Sequence, residues 1–243
     1  MRTGSSSRFW LNTLAALVVV GVTLALGAWQ LGRAHRRIAL QRTIERQQQL
    51  APVGNEALLG NVPAAGLLQR PIVVRGRWIA QRTIFLDNRQ MNGKVGFYVV
   101  TPLLLESSSR AVLVERGWVQ RNFEHREQLP PVVTPSGVVT VRGRIAPPPA
   151  KLYDFGGAQA GVIRQNVDLP ALRAETGLPL LDVAVRQTGN DVSDGLRREW
   201  PEPASGAETN YGYAFQWWAL AVLTAFLYVW FQFIAPRRKP PPP

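Results

Sequence analysis

Two histidines and no cysteine set a low ceiling on the chemistry this chain can carry out. Without cysteine there is no disulfide, thiolate metal site, redox pair or sulfur nucleophile. His35 and His125 are too few for a multi-histidine metal centre within one chain. His125 stands next to Glu124 and near Glu127 in RNFEHREQ, residue types suited to proton transfer, but charged neighbours without apolar cover describe a solvated loop histidine. Asp191 and Asp194 share the stretch GNDVSDG, where short carboxylates form turns. Ser107, Ser108 and Ser109 make a loop tip, without the strand–turn–helix setting of a nucleophile elbow. No phosphate-cradling loop, zinc spacing or calcium loop is present. With no nucleophile, base and charge stabiliser in one constellation, the chain reads as a protein that binds, not an enzyme.

The binding candidates are aromatic and amide side chains at the ends of two hydrophobic runs. Trp29 and Gln30 lie at the end of an uncharged run from Phe9 to Gly32. Tyr213, Gln216, Trp217 and Trp218 open a second run, with no charge between Glu208 and Arg237. Where two such helices meet, flat aromatic faces beside amide groups could hold a planar hydrophobic ligand or another membrane helix. An ordinary aromatic belt at headgroup level is the simpler alternative.

Both runs reach the roughly 20 residues needed to cross a hydrocarbon core. The first has small residues, Ala25 and Gly27, at a plausible cleavage spacing, but it outruns a signal-peptide core of about 7–15 residues and lacks a polar cleavage region. An uncleaved span is expected. Arg237, Arg238 and Lys239 follow the second run, while Glu199, Glu202 and Glu208 precede it, which places the C-terminus in the cytoplasm. Arg33, Arg36, Arg37, Arg42 and Arg46 after the first run argue for the opposite orientation. The connecting segment, however, is far longer than the roughly 60-residue loops to which the positive-inside rule applies. Both termini inside and the middle outside is the expected arrangement. Arg33 to Leu50 has no Gly or Pro and is expected to prolong the first span as an arginine-rich helix along the headgroups, with a solvated helix end as the alternative.

Ala51 to Gln69 reads as a linker or short irregular pieces. From Pro71 onward, PIVVRGRWI, RTIFLDNR, VGFYVVTPLLL, AVLVERGWV, GVVTVRGRI and LLDVAVRQ are short runs rich in Val, Ile and aromatic residues, separated by Gly, Pro, Asn and Ser. That pattern predicts antiparallel strands. Asn92-Gly93 suits a tight type I′ hairpin. Asp168, Pro170 and Gly177 supply a cap, an early proline and a stop for one short helix. VRGR occurs at Val74–Arg77 and again at Val141–Arg144, too brief an echo for a duplication. The expected architecture is a membrane protein: two transmembrane helices flanking a mostly antiparallel β domain, a partly closed barrel or sandwich, with one short helix. Its divisions are a cytoplasmic N-terminus (1–8), first span (9–30), membrane-proximal helix and linker (31–70), periplasmic β domain (71–190), linker (191–209), second span (210–235) and cytoplasmic tail (236–243). The formal charge of +12 admits nucleic acid or an anionic membrane as partner. In a membrane-bound chain whose positive charge is spread thinly except beside the first run, the lipid bilayer is the better partner, and nucleic acid is not expected.

Four segments in order, GAWQLGR (Gly27–Arg33), GFYVVTPLLL (Gly96–Leu105), VLVERGWVQ (Val112–Gln120) and NYGYAFQWWALA (Asn210–Ala221), resemble the surfeit locus protein 1 family of cytochrome oxidase assembly factors. The resemblance runs from Gly27 to Phe233. It implies a bacterial inner-membrane protein that assists delivery or insertion of haem a into subunit I of a haem–copper oxidase. Its partners would be cytochrome c oxidase subunit I and the haem a supply machinery. A cofactor-free scaffold that stabilises an oxidase subunit or another membrane partner is the alternative. By position, the motifs at the span ends carry Trp29, Gln30, Tyr213, Gln216 and Trp217 as cofactor-contacting residues. Gly96 and Arg116-Gly117-Trp118 are expected to be structural. One departure counts against haem ligation: many family members have histidine where this chain has Asn210, and asparagine does not replace imidazole as an axial ligand. His35, the other candidate ligand, is the only histidine near the same membrane face; solvation among arginines is its alternative.

Overall fold

The computed structural model describes residues 4–60, 64–122, 124, 128–150, 152, 161–189, 193–201 and 205–235. His125, Asp191 and the basic cluster Arg237, Arg238 and Lys239 lie outside the described residues. The chain divides into two units, Met1–Thr43 with Pro203–Pro243, and Ile44–Glu202.

Helix α1, in the first unit up to Thr43, runs unbroken from Gly4 to Gln48, joining the apolar run to the arginine-rich stretch after it. At about 1.5 Å per residue it is roughly twice as long as a hydrocarbon core is thick. Helix α4, Ala207–Val229, ends in a π-helical turn over Trp230–Ile234. Both helices are long and apolar enough to cross a membrane, and only 6% of each apolar stretch is buried within the protein. The core helix of a soluble domain would be mostly covered, so this exposure fits helices solvated by lipid.

The two helices pack antiparallel. Phe9 meets Phe233 edge-to-face at 6.3 Å, and Thr13 Oγ1 lies 2.7 Å from the Tyr228 hydroxyl. Toward the other end Gly27 meets Trp218, Gln30 meets Asn210, and Arg37 donates to the Gly206 carbonyl at 3.0 Å. Buried Thr23, Ala34, Ala207, Ala214 and Ala221 are small enough for close helix approach where lipid supplies no hydrophobic driving force.

The second unit is a seven-stranded sheet preceded by a short helix α2 (Asn55–Leu59). Its strands are β1 (Pro71–Trp78), β2 (Ile84–Met91), β3 (Lys94–Leu105), β4 (Ala111–Gln120), β5 (Val138–Ala146), β6 (Ile163–Arg164) and β7 (Leu180–Gln187). They lie in the order β1-β5-β7-β4-β3-β2-β6, and β1 also pairs with β3 through Gly76↔Leu105, Arg77↔Leu104 and Trp78↔Leu103. Five strands therefore close a ring, while β2 and β6 extend the sheet outside it. The result is a partly closed ring, not a true barrel. Most joins are antiparallel, with parallel ones at β4–β7 and β2–β6. Inside the ring, Ile72, Val74, Leu103, Val114, Val141, Ile145 and Val185 form the main core.

Local signals act as their chemistry requires. The two VRGR motifs meet at one pair of the antiparallel β1–β5 ladder, Val74 with Val141, and run away from it in opposite directions, Gly76 facing Val139 and Gly143 facing Ile72. A Cβ on Gly76 would stand 2.2 Å from the Leu104 carbonyl oxygen, and one on Gly143 2.5 Å from that of Arg186. The echo thus serves two close backbone approaches at the ring's joins. Asn92 and Gly93 have φ of 50° and 74°, the type I′ geometry expected of the hairpin. Helix α3 (Leu169–Thr176) is capped by Asp168, which accepts from the Ala171 N–H at 3.1 Å, and stops at Gly177 with φ 68°.

Candidate functional site

The polar centre of the helix pair is Gln30 with Asn210. Asn210 Nδ2 donates to Gln30 Oε1 at 2.7 Å, and Asn210 is 6% exposed. Among the described residues its Oδ1 is buried with no hydrogen-bond partner. In a bilayer an amide pair of this kind joins helices because lipid offers neither group a substitute. Below it the indole of Trp218 lies across Gly27, where a Cβ would come within 2.2 Å of Nε1. A hydrogen bond and a glycine notch thus set the separation and register of α1 and α4 at this end.

The remaining residues of the expected site are distributed around this clasp. Trp29 is 50% exposed, and the guanidinium of Arg33 lies 5.0 Å from its ring centroid. Tyr213 and Gln216 are exposed and Trp217 half-buried. His35 is exposed, its ring 6.4 Å from that of Tyr211 at an interplanar angle of 69°. The fold brings Gln30 to Asn210 and His35 to Tyr211, and leaves Trp29, Tyr213 and Gln216 on exposed surface. Among the described residues, no three His, Asp or Glu side chains gather as metal ligands.

A second polar cluster lies within the β unit. Val99 pairs with Gly117 and Val100 with Glu115, so Arg116 is the extra residue of a β-bulge. Strand alternation would send Glu115 and Arg116 to opposite faces; the bulge lets both be buried, 1% and 2% exposed. Glu115 accepts from Arg186 Nε at 2.5 Å, and the Arg186 guanidinium lies 5.0 Å from the Trp200 ring centroid. Arg116 donates to Thr134 Oγ1 at 2.7 Å and the Val133 carbonyl at 2.6 Å, stacks over Trp78, and faces Asp194 at 3.8 Å. Burial lowers the Arg116 pKa, opposed by the Asp194 carboxylate. Asp194 also bonds Arg198, whose Nε donates to the Arg116 carbonyl at 2.8 Å. Trp118 Nε1 donates to the Arg89 carbonyl at 2.9 Å. Asp194 is thus an ion-pair partner as well as a turn residue, since its Oδ1 accepts from the Leu196 N–H. The signal for this cluster was the adjacent Glu115-Arg116 pair inside an otherwise apolar strand. A cleft of about 160 Å³ opens beside it, lined by Trp78, Arg116, Thr140, Gln187 and Asp194 among others.

Comparison with known proteins bears on both units. The sequence model of the SURF1 family matches residues 17–222, most of α1, the whole sheet and the first two-thirds of α4. Surfeit locus protein 1 of Arabidopsis thaliana is 33% identical over 122 residues, covering 44% of this chain and 33% of the relative. Cytochrome oxidase assembly protein SHY1 of Saccharomyces cerevisiae is 24% identical over 112 residues, 43% of this chain and 29% of the relative. A SURF1-like protein of Drosophila melanogaster is 28% identical over 130 residues, 47% of this chain and 43% of the relative. The aligned stretch therefore spans less than half of each relative.

Proposed function

The chain belongs to the SURF1 family, and on that premise we propose that it is an assembly factor for cytochrome oxidase that works by binding and not by catalysis. The family match over residues 17–222 carries this reading, together with a relative named as a cytochrome oxidase assembly protein. In the proposed arrangement α1 and α4 cross the inner membrane, with both termini in the cytoplasm and the β domain on the outer side. The antiparallel helix pair supports this, since it leaves the ends of the chain at one end of the bundle. Subunit I of the oxidase is the proposed client, met with the machinery that supplies haem a.

The family resemblance implies haem a, and the residues at the helix ends fit it poorly. Asn210 offers no imidazole, its Nδ2 is committed to Gln30, and its Oδ1 is buried. His35 lies at the edge of Tyr211 and is open to solvent or lipid. No ligation through Asn210 is proposed. The amide clasp supports the second reading, a scaffold that steadies its client without holding the cofactor.

The test is a deletion strain assayed for the haem a absorbance of its oxidase, complemented by wild type, His35→Ala and Asn210→Leu. Loss of the signal and rescue by wild type is expected; an unchanged oxidase in a strain lacking any second such factor would end the assembly role. Rescue by His35→Ala, with purified protein colourless in the haem region, is the result expected of a scaffold. Failure of an expressed His35→Ala to rescue would support a role for that histidine as a ligand.

A further inference from the structure

A second stripe on α1 is distinct from the one that meets α4. Thr23, Gly27, Gln30, Ala34 and Arg37 form the seam. Trp29, Arg33, Arg36 and Leu40, at spacings of four, three and four residues, share a different face about a third of a turn away. On that face Trp29 is 50% and Leu40 63% exposed, Arg36 is exposed, and Arg33 lies against the Trp29 ring. No acidic residue precedes Glu45 in the chain. Among the described residues neither Arg33 nor Arg36 forms an ion pair.

Depth along the helix separates these two arginines from the others. Arg33 and Arg36 follow the last residue of the uncharged run, Gly32, by no more than about 6 Å of helix axis. That distance matches the headgroup layer outside a hydrocarbon core. Arg42 and Arg46 lie roughly 15–20 Å beyond Gly32 because the helix continues without a break. Arg37 is on the seam face and donates to the Gly206 carbonyl.

We propose that Trp29, Arg33 and Arg36 form a binding site for the phosphate of an anionic phospholipid, in the leaflet where α1 leaves the bilayer. Two guanidiniums one turn apart present forked donors to one phosphate, and the indole below lies at the level of the first acyl carbons. The exposed indole favours a lipid over free phosphate, because only a lipid has apolar chains to cover it. The site also accounts for positive charge on a flank where the positive-inside rule expects little: bound lipid phosphate neutralises it. The proposal rests on α1 spanning the membrane.

The test uses the full chain in detergent, with retained lipid read by native mass spectrometry. Phosphatidylglycerol should be retained at least tenfold better than phosphatidylcholine, and Arg33→Gln/Arg36→Gln should lose about thirtyfold, the factor expected for two arginines near a charged surface. Arg42→Gln/Arg46→Gln should retain lipid like the wild type. Equal retention of the two lipids, equal loss in the distal variant, or displacement by equimolar inorganic phosphate would each overturn the site. Extraction of the chain from its membrane by alkaline carbonate reads the membrane premise separately.

Discussion

Asn210 occupies a position where the family resemblance leads one to expect a ligand and where the structure has a helix-to-helix hydrogen bond. Asn210→Leu leaves Gln30 Oε1 without its donor. It should weaken the helix pair by about 1 kcal/mol, the scale of hydrogen bonds between membrane helices, and lower the SDS fraction at which the protein unfolds; an unchanged midpoint would show the clasp to be idle. In the β unit, Arg164 donates to Glu175 at 2.6 Å and holds that carboxyl below the usual glutamate range. A depressed carboxylate contributes stability above its unfolded pKa and loses it as pH falls through the folded one. Glu175→Gln should therefore destabilise near pH 7, by less than about 1 kcal/mol since the group is partly exposed, and the difference should shrink below about pH 4.3. Denaturant melts at both pH values measure it, and a pH-independent difference would assign the effect to packing. At this scale the sequence was informative about residue type and silent about pairing. Gln30, Asn210 and His35 stood out as polar groups at span ends, but their contacts depend on a rotational setting of two helices that no local pattern records.

Among the elements, the six apolar runs became β1 to β5 and β7, and the Asn-Gly pair, the Asp168 cap and the Gly177 stop acted where they stood. Their causes are local, so they were legible. The two-residue β6, the bulge at Arg116 and the parallel β4–β7 join were not: β6 and β7 pair with strands distant in the chain, and the bulge depends on the register of β4 against β3. The VRGR echo shows the difference in a single motif: its strand character was evident, its role at the ring's joins was not. Gly76→Ala tests that role. The added Cβ would press on the Leu104 carbonyl, a backbone atom that cannot swing aside. A loss of about 2–4 kcal/mol is expected, read as a lower denaturation midpoint, whereas a neutral substitution would mean that the β1–β3 join is loose enough to part.

At the scale of the whole molecule, two long apolar helices flank in sequence a ring of five strands, which is closed by pairings between strands far apart in the chain. The length and apolarity of α1 and α4 were plain from composition, as was a β-rich middle; the closing of the ring was beyond the reach of strand signals alone. Strand β7 sits between β5 and β4, holding β5 antiparallel and β4 parallel. On a ribosome β7 is made last of the seven, about 20 residues before α4 begins. Until it arrives, the growing chain carries two bare strand edges, the kind that recruit neighbours into aggregates. A chain ending just before Leu180 should accordingly be recovered as aggregate, and one extended through Trp200 as dispersed protein. Gel filtration of both in the same detergent would decide it, with a dispersed shorter chain contradicting the expectation. For a cell the outcome is a narrow interval in time: the sheet can close only about 20 residues before α4 begins, so a delay at β7 leaves the sheet unfinished.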